Sequence, residues 1–202
     1  MSDSILDLVT QSLGGGGARQ IGDQLGIDEG SAAKAISGAL PVLVGALARN
    51  TASSEGAGAL ASALDRDHDG SVLDDLAGFL GGGGAQSTGE GILKHVLGGR
   101  RQQVQNGLGQ ASGLDAGKAG QLLAMLAPIV MGALGKARRG RGLDPDGLGA
   151  MLGQERRRIE RQEPGLGGLL GNLLDADGDG SVMDDLGKIG GSLLGNLLGG
   201  RR

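Results

Sequence analysis

The chain has 202 residues, of which 45 are glycine, one is phenylalanine and none is cysteine, tryptophan or tyrosine. Without cysteine it cannot be a disulfide scaffold or hold zinc or iron–sulfur clusters through thiolates, and one aromatic ring cannot form a base-stacking platform. The net charge of −4 gives no general case for nucleic-acid binding. The negative charge is concentrated in Asp65–Asp75 and Asp175–Asp185, which together contain ten aspartates and one arginine. We name these the first and second acidic segments.

The first element is an amphipathic helix over Ser4–Leu13, because Ile5, Leu8 and Val9 fall on one face. The glycines that begin at Gly14 end it.

The next element is a long apolar helical stretch that ends near Arg49. Asp28 or Ser31 is suited to cap its start. Pro41 either begins a new helix there or kinks a continuous one. We expect a buried helical hairpin rather than a re-entrant membrane segment.

The sequence repeats itself. Residues 26–49 match residues 113–136 at an offset of 87, and Pro128 then corresponds to Pro41. Residues 64–76 match residues 174–186 at an offset of 110. The difference between the offsets fits an insertion around residues 137–164 in the second copy.

Three stretches read as linkers: residues 50–58, the glycine run at 81–91, and the basic residues 138–149. Residues 154–163 can form a helix that is polar nearly all round, which is typical of a bridging or surface helix.

A basic cluster spans this region and could contact phosphates or anionic lipid, but we favour a solvated surface between modules. Its members are Lys136, Arg138, Arg139, Arg141, Arg156, Arg157, Arg158 and Arg161.

Both acidic segments follow the pattern D-x-D-x-D-G-S-V-x-D-D. Ca²⁺ takes six to eight oxygen ligands, and carboxylates at positions 1, 3 and 5 can converge on one ion where a glycine turns the chain sharply. The serine at position 7 offers its carbonyl, and the aspartate at position 11 would close the loop, with Asp74 and Asp184 outside the first shell. Mg²⁺ is disfavoured because it demands stricter geometry. The predicted ligands are Asp65, Asp67, Asp69, Ser71 and Asp75 in the first segment and Asp175, Asp177, Asp179, Ser181 and Asp185 in the second.

The segments also allow a simpler interpretation as helix N-termini, with Ser71 and Ser181 as N-caps and Asp74 and Asp184 at N3. Capping alone leaves the three alternating aspartates repelling one another, so we favour a cation. His68 is expected to point outward and has no ligand role.

These segments resemble the calcium loops of EF-hand and dockerin modules over about eleven residues each. They depart from the EF-hand pattern at position 12, where Leu76 and Leu186 stand in place of a bidentate glutamate.

The C-terminal region places a glycine at every fourth position, next to a leucine-rich face. Interior glycines cost helix stability, and close packing of a partner helix would compensate for that cost. The partner would be the 167–174 helix or another chain, which makes a homo-oligomer possible. The glycines are Gly187, Gly191, Gly195 and Gly199.

The proline-centred LPVLVGAL helix combined with an LDxDxDGSVxDDL segment resembles the bacterial family called domain of unknown function 937, over residues 5–186 and both halves. The resemblance implies a small all-helical domain and no established activity.

We therefore predict an all-α fold of duplicated helical units joined by glycine-rich linkers, each followed by a calcium-loop-like helix–loop–helix. The units are 1–50 and 92–137, with acidic segments and flanking helices at 59–80 and 166–202 and a basic linker at 138–165.

The predicted function is a non-enzymatic Ca²⁺-binding structural or interaction module. The alternatives are a nucleic-acid-associated domain that uses the arginine cluster at 136–161 and a membrane-surface protein with Gly/Leu helices. No signal peptide and no stretch of about 20 apolar residues is found, so we expect a cytoplasmic protein.

Overall fold

The computed structural model describes residues 4–68 and 70–162, and these residues form helices, turns and no strand. The all-α prediction is confirmed. The helices are α1 (Ile5–Leu13), α2 (Gly17–Leu25), α3 (Glu29–Asn50), α4 (Ser54–Asp67), α5 (Leu76–Gly81), α6 (Gly84–Leu97), α7 (Arg101–Ser112), α8 (Ala116–Arg141) and α9 (Pro145–Gln162), with short 3₁₀ turns at Ser71–Leu73 and Gly98–Arg100. The predictions for the second acidic segment and for the glycine stripe lie outside the described residues.

Helices α3 and α8 form the centre of the molecule. Every residue is buried over 40–48 in α3 and over 122–135 in α8, which explains why these stretches are apolar on all sides. Both helices continue through their prolines, Pro41 and Pro128. The expectation of a hairpin within the apolar stretch was therefore wrong, because the rest of the core holds each helix together across the missing proline N–H.

The two central helices begin in the same way. Asp28 caps α3 by accepting a hydrogen bond from the Ser31 N–H at 2.9 Å. Asp115 caps α8 by accepting one from the Lys118 N–H at 2.8 Å. Each carboxylate satisfies an N–H that has no partner within its helix. Asp28 was one of the two caps that the sequence predicted.

The turns that lead into α3 and α8 are also alike. Gly26 directly follows α2 and Gly113 directly follows α7, and their φ angles are 63° and 80°. Glycine adopts this left-handed conformation without a steric penalty. In each turn a 3.0 Å hydrogen bond runs from the residue after the glycine to a carbonyl five residues earlier.

The first four helices and the last four are interleaved rather than separate. Helix α1 packs against α8, α9 packs against α3, and α4 lies against both α8 and α9. A single cluster of buried apolar side chains accordingly runs from Ile5 to Ile159. The segments that the sequence divides at residues 50, 92 and 138 thus share one core.

Helix α6 occupies most of the glycine run that was expected to be a linker. Its backbone comes close to α8, since a Cβ at Gly89 would overlap the carbonyl of Ala124. That carbonyl would normally accept a hydrogen bond from residue 128, which is Pro128 and has no N–H. Here glycine permits close helix packing, and the tertiary contact outweighs its low helix propensity.

Helix α9 is longer than the sequence indicated, and one of its faces is apolar. The expected polar helix covered residues 154–163, whereas the helix begins at Pro145 and buries Leu148, Leu152 and Ile159 along one face. Glu155 is also buried, and the Ser4 hydroxyl at the start of α1 donates a hydrogen bond to its carboxylate. The helix is therefore part of the core and not a bridge between modules.

Helices α3 and α8 are long and apolar enough to cross a membrane by length and composition. In their most apolar windows, 72% and 83% of the residues are buried within the protein. Core helices also have this pattern, so it is weak evidence for a membrane segment.

Candidate functional site: the first acidic segment and the adjoining groove

The first acidic segment runs from the last turn of α4 to the start of α5. Asp65 and Asp67 lie in α4, the chain reverses at Gly70 with a φ of 93°, and the 3₁₀ turn follows. The reversal packs directly on α8, because a Cβ at Gly132 would overlap the side chain of Val72. The glycine at position 6 and the valine at position 8 thus have structural roles in this segment.

Asp65 is paired with a cation from the central helix. The Arg138 guanidinium donates a hydrogen bond to the Asp65 carboxylate and another, at 3.4 Å, to the carbonyl of Ala61. The Arg138 side chain is only 16% exposed. Charge-assisted hydrogen bonds are stronger where water is partly excluded. Arg138 therefore supplies positive charge at the place where the sequence analysis expected an ion.

Two further pairs neutralise this segment from its surface. Lys136 Nζ lies 3.7 Å from Asp74 Oδ1, and Arg66 Nε lies 3.9 Å from Asp67 Oδ2. All four side chains are at least 60% exposed, so each pair contributes little to stability. Together with Arg138 they mean that three of the aspartates face a cation of the chain itself.

Asp75 is the N-cap of α5, where its Oδ1 accepts a hydrogen bond from the Gly78 N–H at 2.9 Å. The simpler interpretation of the segment placed this cap at Ser71, which is four residues too early. Ser71 begins the 3₁₀ turn instead, and its carbonyl accepts a hydrogen bond from the Asp74 N–H at 3.0 Å. Two of the predicted ligand groups, the Asp75 carboxylate and the Ser71 carbonyl, are thus engaged within the chain.

Over residues 4–68 and 70–162, no group of three or more His, Asp or Glu side chains is placed to hold a metal ion. Asp69, at position 5, lies outside the described residues, as do Asp175, Asp177, Asp179, Ser181 and Asp185. The structure thus places Asp65, Asp67, Ser71 and Asp75 along the first segment but shows no assembled ligand set among the residues it describes.

A groove of about 830 Å³ adjoins the first acidic segment. Helices α4 and α6 both rest on α8 and form its two walls, while α3 and α8 provide its floor. The apolar lining is entirely aliphatic and consists mainly of Leu47, Leu60, Ile92, Val96 and Met131. Small residues widen the groove at its walls, namely Ala59 and Ala63 on α4 and Gly91 on α6. Gly56 also lines the groove, but a Cβ there would overlap the carbonyl of Asn50. We name this feature the α4–α6 groove.

Both histidines of the chain line this groove. His68 was expected to point outward, but it is partly buried, and its desolvation lowers its pKa despite the nearby charge of Asp67. His95 Nδ1 lies 2.9 Å from the Gly91 carbonyl, one turn earlier in α6. A Nδ1–H donor in that bond would leave Nε2 as an acceptor. No local sequence pattern indicates that two histidines 27 positions apart line the same groove.

Four members of the basic cluster are paired with acids of the chain. Besides Lys136 and Arg138, Arg156 lies 3.4 Å from Glu160 and Arg158 lies 3.7 Å from Asp7. The sequence predicted a solvated surface here, and Arg138 departs from this because its side chain is largely buried.

Residues 7–137 match the family described as bacterial protein of unknown function (DUF937). The chain belongs to this family. No curated protein and no solved structure matches it. The family match begins within α1 and ends one turn before the end of α8, and thus includes the first acidic segment and the α4–α6 groove. The family description assigns no activity.

Proposed function

We propose that this member of the DUF937 family is a non-enzymatic structural or protein-interaction module that binds Ca²⁺ through its acidic segments. The observation that carries the proposal is the double occurrence of D-x-D-x-D-G-S-V-x-D-D with aspartates at identical positions. Such a pattern offers the hard oxygen ligands that Ca²⁺ prefers over Mg²⁺ in a flexible loop.

The two segments are expected to bind with different affinities. In the first, a cation must compete with Arg138 for Asp65 and with the α5 N-terminus for Asp75. In the second, alanine and glycine replace Arg66 and His68 at positions 2 and 4. The second segment thus carries no positive charge of its own, and we propose that it holds the tighter site.

The proposal includes a structural consequence. A bound ion would neutralise clustered carboxylates and stabilise the folded chain by about 2.7 kcal/mol at a hundredfold excess over Kd. Ca²⁺ would then act as a stabilising ligand, with no reaction assigned to it.

Calorimetric titration of the full chain with Ca²⁺ tests the proposal. We expect Asp177→Ala to remove the tighter site and Asp67→Ala to affect only a weaker one. Asp23→Ala is the matched control, because Asp23 is an exposed aspartate in α2, away from both segments. Equal binding heats from all three variants and the unaltered protein would contradict the proposal.

The nucleic-acid alternative is not favoured by any contact in the described residues. Four of its eight basic residues, Lys136, Arg138, Arg156 and Arg158, already face acids of the chain. Retention on DNA that weakens with salt would support it, and cosedimentation with anionic vesicles would support the membrane-surface alternative.

A further inference from the structure

The α4–α6 groove has a counterpart in the other half of the chain. The offset of 87 that relates α3 to α8 also relates α1 to α6, because ILDLV at residues 5–9 matches ILKHV at residues 92–96. The N-caps Ser53 and Asp144 relate α4 to α9 at an offset of 91. The groove between α4 and α6 therefore corresponds to the space between α9 and α1, which we name the α1–α9 crevice.

A side-chain contact bridges the α1–α9 crevice but not the groove. The Ser4 hydroxyl on α1 donates a hydrogen bond to the Glu155 carboxylate on α9, and both residues are buried. The matched residues of the groove are Gly91 and Leu64, whose side chains have no group that could form this bond. The groove thus lacks the contact that joins the walls of the crevice.

The groove is also polar at three positions where its counterpart is apolar. Asn50, His68 and His95 line the groove. The matched residues in the second half are buried or packed against the core, and they are Ala137, Ile159 and Leu8. The two halves share one framework, but only the first combines an open volume of about 830 Å³ with polar side chains along an aliphatic floor. This combination is typical of a small-molecule site.

We propose that the α4–α6 groove binds a small aliphatic amine, with the hydrocarbon chain of the amine on the aliphatic floor and its ammonium group at Asn50 and His95. The proposal goes beyond Ca²⁺ binding and does not depend on it.

The polar groups that Asn50 and His95 offer are acceptors. Asn50 Nδ2 donates hydrogen bonds to the carbonyls of Val96 and His95, at 3.1 and 3.4 Å, so its Oδ1 is left to accept. His95 Nδ1 lies 2.9 Å from the Gly91 carbonyl, and donation of that bond leaves Nε2 as a second acceptor. Because Asn50 contacts the backbone of His95, both acceptors belong to one end of the groove. An ammonium group has three donors and no acceptor, and it complements them.

The charged residues of the lining lie at the opposite end. Gly56, in the first turn of α4, lies against the Asn50 carbonyl, whereas Arg66 and Asp67 lie in the last turn, about 15 Å further along the helix. Arg66 Nε is 3.9 Å from Asp67 Oδ2, so these two charges offset each other. No lysine or arginine of the described lining lies at the Asn50 end. A carboxylate or phosphate would therefore find no cationic partner there.

The two other polar residues of the lining also accommodate an amine. Desolvation lowers the pKa of His68, so its imidazole is uncharged at pH 7 and has one acceptor nitrogen. The hydroxyl of Thr88 can accept as well as donate a hydrogen bond. Acceptors thus outnumber free donors along the groove, and this favours a ligand that carries donors.

Calorimetric titration of the full chain with n-hexylamine at pH 7 tests the proposal, with EDTA present so that Ca²⁺ makes no contribution. Hexanoate and 1-hexanol are the matched ligands, since they have the same chain length and a different head group. We expect hexylamine to bind at least tenfold more tightly than either. We also expect affinity to rise by up to about fourfold for each methylene added between butylamine and hexylamine. Equal or tighter binding of hexanoate or hexanol would overturn the proposal, as would no binding of hexylamine at millimolar concentration.

Substitution by the residues of the crevice tests the head-group contacts. His95→Leu and Asn50→Ala introduce the side chains found at the matched positions, and we expect each to weaken hexylamine binding at least tenfold. Asn106→Ala is the control, because Asn106 is an exposed amide on α7 that does not line the groove. Unchanged affinity in both groove variants would overturn the assignment of the ammonium group to this end.

A third variant keeps the test decisive if Asn50→Ala disturbs the packing of α6. Ala63→Leu adds a side chain on the α4 wall and fills part of the groove, while Ser62→Leu adds the same side chain at an exposed neighbour that does not line it. We expect Ala63→Leu to abolish hexylamine binding and Ser62→Leu to preserve it, with equal helicity by circular dichroism. Equal affinity in these two proteins would place the amine outside the groove and overturn the proposal.

Discussion

Helices α3 and α8 are matched at their starts and differ at their ends. Their caps, Asp28 and Asp115, are 87 residues apart, but α3 has 22 residues and α8 has 26. The next helices begin after Ser53 and Asp144, which each accept a hydrogen bond from an N–H three residues later and are 91 residues apart. The second copy has therefore gained four residues, which amounts to about one helical turn.

The added turn is residues 138–141, with the sequence RRGR. Its first residue, Arg138, is the partner of Asp65 in the first acidic segment. One turn of extra helix thus brings a guanidinium to the start of the first acidic segment, whose sequence resembles a cation site. The comparison teaches that charge clustered in a sequence can be neutralised from a distant part of the same chain.

The largest expected effect comes from truncating the matched leucines at positions 47 and 134. Leu134 is fully buried in α8, whereas Leu47 in α3 lines the α4–α6 groove. We expect Leu134→Ala to lower the free energy of unfolding by about 2–5 kcal/mol, with Leu47→Ala costing less because that site already borders open space. Urea denaturation of both variants measures the difference. An equal loss of unfolding free energy would contradict the presence of open space beside Leu47.

The second-largest expected effect on stability comes from the close packing of α6 on α8 beside Ala124 and Pro128. We expect Gly89→Ala to destabilise the protein by about 1–3 kcal/mol, because the new Cβ overlaps the Ala124 backbone and α6 must move. Gly91→Ala is the control on the same helix, where a Cβ would meet nothing within 4 Å. The control should be neutral or stabilising by up to about 1 kcal/mol. Thermal unfolding of the two variants in parallel checks this, and a stable Gly89→Ala protein would contradict the close approach.

The added turn itself is tested by Arg138→Gln. We expect a loss of about 1 kcal/mol in unfolding free energy, because Asp65 loses a partly buried partner. If Ca²⁺ competes with Arg138, the same substitution should also tighten Ca²⁺ binding at the first segment. Arg139→Gln, on an exposed neighbour, should change neither quantity. Calorimetric titration and urea denaturation measure both, and identical results for the two variants would show that the extra turn has no role at this segment.

Whether a structural feature could be predicted from the sequence depends on how far apart along the chain the interacting residues lie. The cap at Asp28 is set by its neighbours and was predicted, as was the burial of the two proline-containing stretches. The start of α5 was missed because Ser71 and Asp75 are both good caps locally, and only packing on α8 decides between them. Helix α6 was missed because glycine is a poor helix former in isolation, and the contact between Gly89 and Ala124 joins residues 35 positions apart.

The candidate site shows the same limit more sharply. The pattern of aspartates was visible, but the cations that pair with Asp65 and Asp74 come from α8, more than 60 positions further along the chain. The α4–α6 groove could not be predicted either, since it lies between two helices that do not pack closely on one another but rest on a third. Contacts of this kind carry no local signal in the sequence.

The smallest expected effect distinguishes the two caps. Asp28 accepts hydrogen bonds from both the hydroxyl and the N–H of Ser31, and these bonds to the ionised carboxylate lower its pKa below 3.8. At the matched position α8 has Lys118, which lacks a hydroxyl. A carboxyl whose folded pKa is lowered stabilises the protein above its unfolded pKa, and this contribution disappears as the pH falls through the folded value.

We therefore expect Ser31→Ala to lower the urea midpoint near pH 6 and to have progressively less effect below pH 4. Ser37→Ala, whose hydroxyl bonds only to the Lys34 carbonyl, should show no such pH dependence. A Ser31→Ala effect that is constant from pH 6 to pH 2.5 would mean that the hydroxyl does not act through the Asp28 carboxylate.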